Sequence, residues 1–281
     1  MNKLKAAWIG FMDYEYIRDG GDPFDYYEKY AKMGYRAIDG DLGRMPGDKD
    51  ANYKRFKDLG LTCLCTWTRN MHELVTMPDE IKAIAENCRY YGIKYVNIGN
   101  SSVISSFGQG YGHNGDYDSV MKDIEVMDKL VKMFGAEGLT CVYHNHYQEF
   151  TVEYKGVSVM DYFLTQIDPR FQLKLDVGWV YVAGLDPVEY MEKIKDRIGL
   201  LHIKDFTEMI QPRYLVNADK ETDFGFTAVG TGKLDLGGIM KKAIDIGVEY
   251  AIVEQDRMRN LSREDSILCA YLNMKETGYL E

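Results

Sequence analysis

The chain has 281 residues, 46% of them apolar, and a formal net charge of −10. That length and composition fit one α/β domain with a large core. The acidic balance argues against a general nucleic-acid binder, which needs a basic face. No run of 18 apolar residues is present to cross a membrane.

Five cysteines, Cys63, Cys65, Cys88, Cys141 and Cys269, form an odd set without metal-type pairing. They read as reduced core residues, and so predict a cytoplasmic protein. The first ten residues hold an apolar run too short for a secretory signal and are expected to form a strand.

Strand-like and helix-like segments then alternate. The first strand is expected at Leu4 to Gly10, and a helix opens at Asp22-Pro23 and stops at Gly34. A second strand is read at Tyr35 to Asp39, and a helix at Asp50 to Asp58. The third strand spans Leu61 to Trp67. A helix runs from Met77 to Gly92, and the fourth strand covers Lys94 to Ile98. Residues 99–116 read as a long loop of functional or mobile character. The amphipathic stretch Asp118 to Phe134 predicts a helix ended by Gly135 and Gly138.

The fifth strand is expected at Thr140 to His146, and a helix at Val157 to Ile167 is broken by Asp168-Pro169. Phe171 to Val177 is the sixth strand, and Asp186 caps the next helix. Gly199 to Ile203 is the seventh, followed by a long loop over 206–232. A helix from Leu236 to Ile246, the strand Tyr250 to Glu254 and a helix capped by Ser262 complete the chain. Eight strands alternating with about eight helices predict a parallel (β/α)8 TIM barrel, read as a single domain over residues 1–281.

Function in such a barrel sits where the strands end. The residues expected there are Trp8 and Phe11, Trp67 and Arg69, Asn97 and Asn100, then His144, His146 and Glu149, then Asp176, His202 with Lys204, and Glu254. Alternation places Val142, His144 and His146 on one face. Asp176, His202 and Glu254 stand on three successive strands, with Glu149 one strand earlier. Carboxylates with a neutral imidazole suit Mn2+, Mg2+ or Zn2+. Singly, each acid would read as a helix cap or a solvated loop residue.

Lys204 shares its face with His202 and can hold a substrate oxygen or an enolate, or pair with a nearby carboxylate. Trp8, Trp67, Tyr143 and Trp179 are strand-end aromatics that can stack on a sugar, or simply pack. Val229-Gly230-Thr231-Gly232 offers backbone amides to an anion, or is a flexible turn.

Several motifs together resemble a known superfamily. They are Tyr143-His144-Asn145-His146-Tyr147-Gln148-Glu149-Phe150, Leu175-Asp176-Val177-Gly178-Trp179, Ala183-Gly184-Leu185-Asp186-Pro187, Leu201-His202-Ile203-Lys204-Asp205, Val229-Gly230-Thr231-Gly232 and Val253-Glu254-Gln255-Asp256. The chain resembles the xylose-isomerase-like barrels, and within them proteins called sugar phosphate isomerase/epimerase. The resemblance implies one divalent metal, Mn2+ as the expected ion with Mg2+, Zn2+ or Co2+ as alternatives. Its usual ligands are a Glu, an Asp, a His and a Glu from strands five to eight. The last three fall on Asp176, His202 and Glu254. The first does not, because the fifth strand carries Val142, Tyr143 and His144 there. Glu149, in the loop beyond, is the expected fourth ligand or a substrate-facing acid. His144 and His146 are left as acid–base groups or as a ligand.

The implied chemistry is proton abstraction beside a carbonyl, through an enediolate. Returning the proton gives a sugar isomerase or epimerase. Expelling a substituent gives a lyase or dehydratase of an inosose or oxo-sugar, including cleavage of 3-oxo C- or O-glycosides. The expected catalytic set is His144, His146, Glu149 and Lys204. The expected partner is a small carbohydrate, without nucleic acid or membrane, in a homo-oligomer or beside a second subunit. Two further classes follow the same fold. One is a DNA-nicking enzyme, disfavoured by five histidines and the negative charge. The other is a non-catalytic sugar-binding subunit.

Overall fold

Short β-prone runs separated by glycine-stopped amphipathic helices favour parallel βα units, since each strand must be buried on both faces. In the computed structural model, which describes residues 3–43, 45–104, 115–208 and 224–281, this is realised as a nearly closed barrel. The strands are β1 Lys5–Trp8, β2 Ala37–Ile38, β3 Thr62–Cys63, β4 Cys65–Trp67, β5 Tyr95–Asn97, β6 Thr140–His144, β7 Glu153–Tyr154, β8 Val157–Ser158, β9 Gln172–Asp176, β10 Ile198–Ile203, β11 Asp205–Phe206, β12 Phe226–Thr227 and β13 Tyr250–Val253. Nine of them form one parallel sheet in the order β3-β2-β1-β13-β10-β9-β6-β5-β4.

The two ends of that sheet, β3 and β4, are the halves of the predicted third strand. Leu64 separates them, its N–H bonding the carbonyl of Ile38 at 2.9 Å. β3 pairs with β2 and β4 with β5, so the ring closes through the chain itself. Eight predicted staves thus become nine short strands without a change of topology.

The helices between staves start where their caps dictate. Asp48, Asp116, Ser158, Asp186, Asp235 and Ser262 each accept a backbone N–H of the first turn. Gly135 lies inside the helix Tyr117–Ala136 rather than ending it; Gly138, with φ 79°, follows the helix. The β7–β8 hairpin precedes the helix Val159–Gln166, which begins two residues later than the sequence implied. Of the two predicted long loops, residues 105–114 and 209–223 lie outside the described residues. All five cysteines are free, four of them buried and Cys269 half-buried. No helix among the described residues is long and apolar enough to cross a membrane.

Two apolar layers follow from strand alternation. Ala7, Ala37, Cys65, Val142, Leu200 and Ile252 fill the inside of the barrel. Their out-of-phase neighbours, such as Trp8, Tyr143, Leu175, Leu201 and Val253, pack outward against the helices.

The Val229–Gly232 turn has an anion, and it is internal. The carboxylate of Asp205 accepts N–H bonds from Phe206, Gly230, Gly232, Lys233 and Leu234 at 2.8 to 3.2 Å. This pins the loop after β12 to the residue beside Lys204. Removing the acceptor leaves several amides unpaired, each at about 1–3 kcal/mol if it stays buried. Asp205→Ala is expected to lower stability by about 3 kcal/mol, and Asp205→Asn by less, in urea denaturation.

Candidate active site

The apolar inner layer fixes what stands above it. Each inward residue two positions further along its strand reaches the mouth. Ala37 is followed by Asp39, Cys65 by Trp67, Tyr95 by Asn97, Val142 by His144 and then His146. Lys174 is followed by Asp176, Leu200 by His202 and then Lys204, and Ile252 by Glu254. Parallel register sets His202 beside Asp176 and His144 beside Lys174.

Four of these residues converge. His144, Asp176, His202 and Glu254 each offer one donor atom, and the four atoms lie within 4.8 Å of one another. His144 Nε2 is 3.8 Å from both Asp176 Oδ2 and Glu254 Oε2, and His202 Nδ1 is 2.7 Å from Glu254 Oε2. Asp176 divides its oxygens. Oδ1 accepts the N–H groups of Gly178 and Trp179 and so caps the helix Val177–Val182. Oδ2 is buried without a hydrogen-bond partner. Gly178 is required here, because a Cβ would stand 2.2 Å from the Lys204 carbonyl oxygen.

Asn145 ties the end of β6 to Asp176. Its side-chain amide accepts from Asp176 N at 2.9 Å and donates to Asp176 O at 3.2 Å. It thereby stands in for a peptide group and continues the β6–β9 ladder past His144.

Behind the four candidate donors lies a salt-bridge layer that sequence reasoning missed. Lys174 donates to both oxygens of Asp39 at 2.9 and 2.8 Å, with both side chains fully buried. Asp39 also accepts from His202 Nε2 at 2.6 Å. The imidazole is therefore gripped from behind and presents Nδ1 to the ligand set, as metal-binding histidines commonly are. Lys204 lies 2.9 Å from Asp256 and 3.3 to 3.4 Å from Asp176 and Glu254. Asp39 and Lys174 are separated by 135 positions, and only inward parity with Ala37 pointed to Asp39.

The charges of this cluster do not balance. Asp39, Asp176 and Glu254 face Lys174 and Lys204, with Asp256 at the exposed rim, which leaves one negative charge in the inner layer when the imidazoles are neutral. Buried charge is costly unless compensated. The titration shifts report the same deficit. Burial raises the Asp176 carboxyl to about 6, with Lys204 opposing it. Burial would lower His202, but Glu254 and Asp39 outweigh it and hold the ring above its ordinary value. Burial would raise Glu254, but Lys204, His144 and His202 keep it well below. A divalent cation at the four donors would supply the missing charge and take the place of the second imidazole proton. The donor set fits such an ion.

His146 stands beside this set. Its ring centroid is 5.1 Å from that of His144 and 5.6 Å from that of Trp179, and its Nδ1 is buried without a partner. Burial lowers it to about 3, so it is neutral at ordinary pH. Burial also holds His144 well below its usual value. The side-chain amide of Asn97, buried at the end of β5, has neither atom hydrogen-bonded.

The structure corrects three expectations and refines a fourth. Glu149 does not reach the ligand set. It is buried in the helix Gln148–Thr151, where it accepts from the Tyr143 hydroxyl and from the His146 N–H. His144 takes the place expected of it. Tyr143 is out of phase with Val142, so it faces the helices against Phe163 and Phe171 and serves Glu149 instead of a ligand. Trp8 is out of phase with Ala7 and packs among Tyr27, Tyr30 and Tyr35 at 1% exposure. Trp67 does face the mouth, 40% exposed, with its ring 6.4 Å from that of His144 and Lys174 Nζ 3.9 Å from its own centroid. Trp179 is buried among Tyr147, Phe206, Phe224 and Phe226, with Lys204 Nζ 5.0 Å from its ring.

Two outcomes follow from this geometry. Asp39→Asn keeps the shape but removes the charge behind His202. It is expected to weaken Zn2+ binding about 10- to 100-fold in a chelator competition assay. Glu149 gives a pH signature. Burial raises its carboxyl to about 7, above its ordinary 4.5, with Tyr143 opposing. The folded state therefore holds a proton that the unfolded state releases, and this contribution to stability is lost as pH rises from 4.5 to 7. The loss is about 3 kcal/mol. Urea denaturation across that window should show the decline in the native protein and a flatter profile in Glu149→Gln.

A family model described as a xylose isomerase-like TIM barrel matches residues 27–270. No curated protein matches the chain. A sugar phosphate isomerase/epimerase from Parabacteroides distasonis ATCC 8503 superposes with a TM-score of 0.74 at 20% identity, covering 100% of both chains. The probable 3-DHS dehydratase AsbF from Bacillus anthracis gives 0.72 at 11% identity, covering 97% of this chain and 99% of its own. The IolI protein with a bound zinc atom gives 0.67 at 16% identity and covers 99% of each chain. At these identities the likeness is one of fold. With the family model spanning most of its length, the chain belongs to the xylose isomerase-like TIM barrel family.

Proposed function

We propose that the protein is a divalent-metal-dependent sugar isomerase or epimerase that removes a proton beside a carbonyl. One observation carries this reading: the buried Asp176 Oδ2, which has no hydrogen-bond partner, stands 3.8 Å from His144 Nε2 and 3.3 Å from the Lys204 ammonium, beside Glu254 Oε2. His144, Asp176, His202 and Glu254 would hold the metal, with Mn2+ the expected ion and Zn2+, Mg2+ or Co2+ able to use the same donors. A divalent cation there supplies Lewis-acid polarisation of a substrate carbonyl.

The chain's own groups divide the remaining work. Lys204 is a fixed cation that stabilises negative charge developing on a substrate oxygen. His146, outside the ligand set, accepts the proton from carbon at its unshared Nδ1 and returns it. The Asn97 amide orients a substrate hydroxyl. Trp67 offers a face for the sugar ring, over the buried Lys174. The relatives named sugar phosphate isomerase/epimerase support the isomerase assignment by family. A carbohydrate substrate, a cytoplasmic location and an oligomeric enzyme belong to the same reading.

A second reading, a lyase, rests on a specific feature. Of the carboxylates packed against the proposed ligand set, Asp39 is bonded by Lys174 and Asp256 by Lys204. Among the described residues packed against that set, this leaves His146 as a neutral proton carrier. A single carrier suits a same-face 1,2-shift or the loss of a substituent. It suits less well an epimerisation that needs acids on opposite faces. The 3-DHS dehydratase relative is in keeping with this alternative.

The test is isotope exchange. The Mn2+-loaded protein is incubated with ketoses and oxo-sugars in D2O. Deuterium is expected at the carbon beside the carbonyl of the true substrate, and Lys204→Met should lower the rate at least 100-fold, about 3 kcal/mol. Release of a substituent would select the lyase, and no exchange on any member would refute both readings.

A further inference from the structure

The mouth divides into two bays around the loop after β1. The smaller, about 340 Å³, holds Trp67, Asp39 and Asp41. The larger, about 1130 Å³, runs from Glu254 outward to Arg263. Both are bounded by Met12 and Tyr14; the larger reaches Glu254 of the four-residue cluster, and the smaller reaches Asp39, which bonds His202.

The smaller bay suits one sugar ring, with the Trp67 face exposed beside His144. The larger reaches the size of grooves that hold drug-sized ligands, about 300–1,000 Å³. A free monosaccharide would leave it unfilled. Its wall carries Met12, Tyr14, Tyr26 and Met258, flat or thioether surfaces that favour an aromatic ring. Tyr14 is 59% exposed there.

Charge argues against a phosphate in this bay. Arg257 and Arg263 share the lining with Asp13, Glu254, Asp256 and Glu264, so it offers an anion no net positive charge.

We infer that the larger bay is a binding site for an aromatic substituent on the sugar, so that the substrate is an aryl-substituted sugar rather than a free sugar or a sugar phosphate. This rests on the proposed carbohydrate chemistry and specifies its substrate class. Tyr14 contributes a stacking face, and Arg263 meets hydroxyl groups on the distal ring.

The experiment is equilibrium binding, which does not depend on turnover. The Mn2+-loaded full chain is titrated calorimetrically with methyl and 4-nitrophenyl glycosides matched across several sugars. The corresponding disaccharides and sugar phosphates are titrated in parallel. At least one 4-nitrophenyl glycoside is expected to bind tenfold or more tightly than its methyl counterpart, and Tyr14→Ala should reduce that ratio at least fivefold, while Tyr14→Phe retains it. Equal affinities, no binding by any aryl glycoside, or a ratio untouched in Tyr14→Ala would overturn the assignment. So would tighter binding of a disaccharide, or of a sugar phosphate through Arg263. Failure of the proposed chemistry would show separately, as the absence of deuterium exchange despite aryl-dependent binding.

Discussion

The constraint on which the rest of the mouth depends is the surplus of negative charge in its upper layer. Three carboxylates, Asp39, Asp176 and Glu254, converge where two lysines can answer only two of them, with Asp256 at the exposed rim. In water this would matter little. Here Asp39, Asp176, Lys174 and Lys204 are essentially sealed from solvent, and Coulomb energies rise steeply as the effective dielectric falls. The arrangement is consistent with a chain that spends fold stability to hold a cation at a set position. Asp39 and Lys174 form the rear of the device, His202 transmits it, and Glu254 and Asp176 form the front.

The apolar barrel interior makes that device precise. Ala7, Ala37, Cys65, Val142, Leu200 and Ile252 are small or branched residues that fill the middle layer. Because each stave has period two, the layer above is fixed once the middle layer is packed. A one-residue slip in β6 would turn His144 outward and bring Tyr143 to the mouth. Asn145, bonded to both backbone groups of Asp176, resists such a slip at the strand end where the regular ladder stops.

Much of this was legible in the sequence. The alternation of β-prone and amphipathic runs led to the barrel, and cap residues such as Asp186 and Ser262 placed helix starts closely. Asp176, His202 and Glu254 were identifiable as acid, imidazole and acid on successive strand ends. The shared face of Val142, His144 and His146 was also readable, and it already excluded Tyr143 from the mouth. The same parity excluded Trp8 once Ala7 was taken as inward. Other features depended on contacts between distant segments. Asp39 and Lys174 meet across 135 positions, and a short apolar β2 gives little sign that its last inward residue is an acid in use. Glu149 misled because proximity in sequence to a histidine pair resembled proximity in space. The helix Gln148–Thr151 turns it away, into a pocket made by Tyr143 and the His146 amide. The Val229–Gly232 turn was readable as an anion cradle, but its anion, Asp205, lies more than twenty positions earlier.

The central claim is that His144, not Glu149, completes the metal site with Asp176, His202 and Glu254. Metal content of purified His144→Ala and Glu149→Ala, measured by mass spectrometry after dialysis against limiting Mn2+ or Zn2+, tests it most directly. About one ion per chain is expected in the native protein and in Glu149→Ala, and its loss in His144→Ala. Retention in His144→Ala with loss in a folded Glu149→Ala would contradict it.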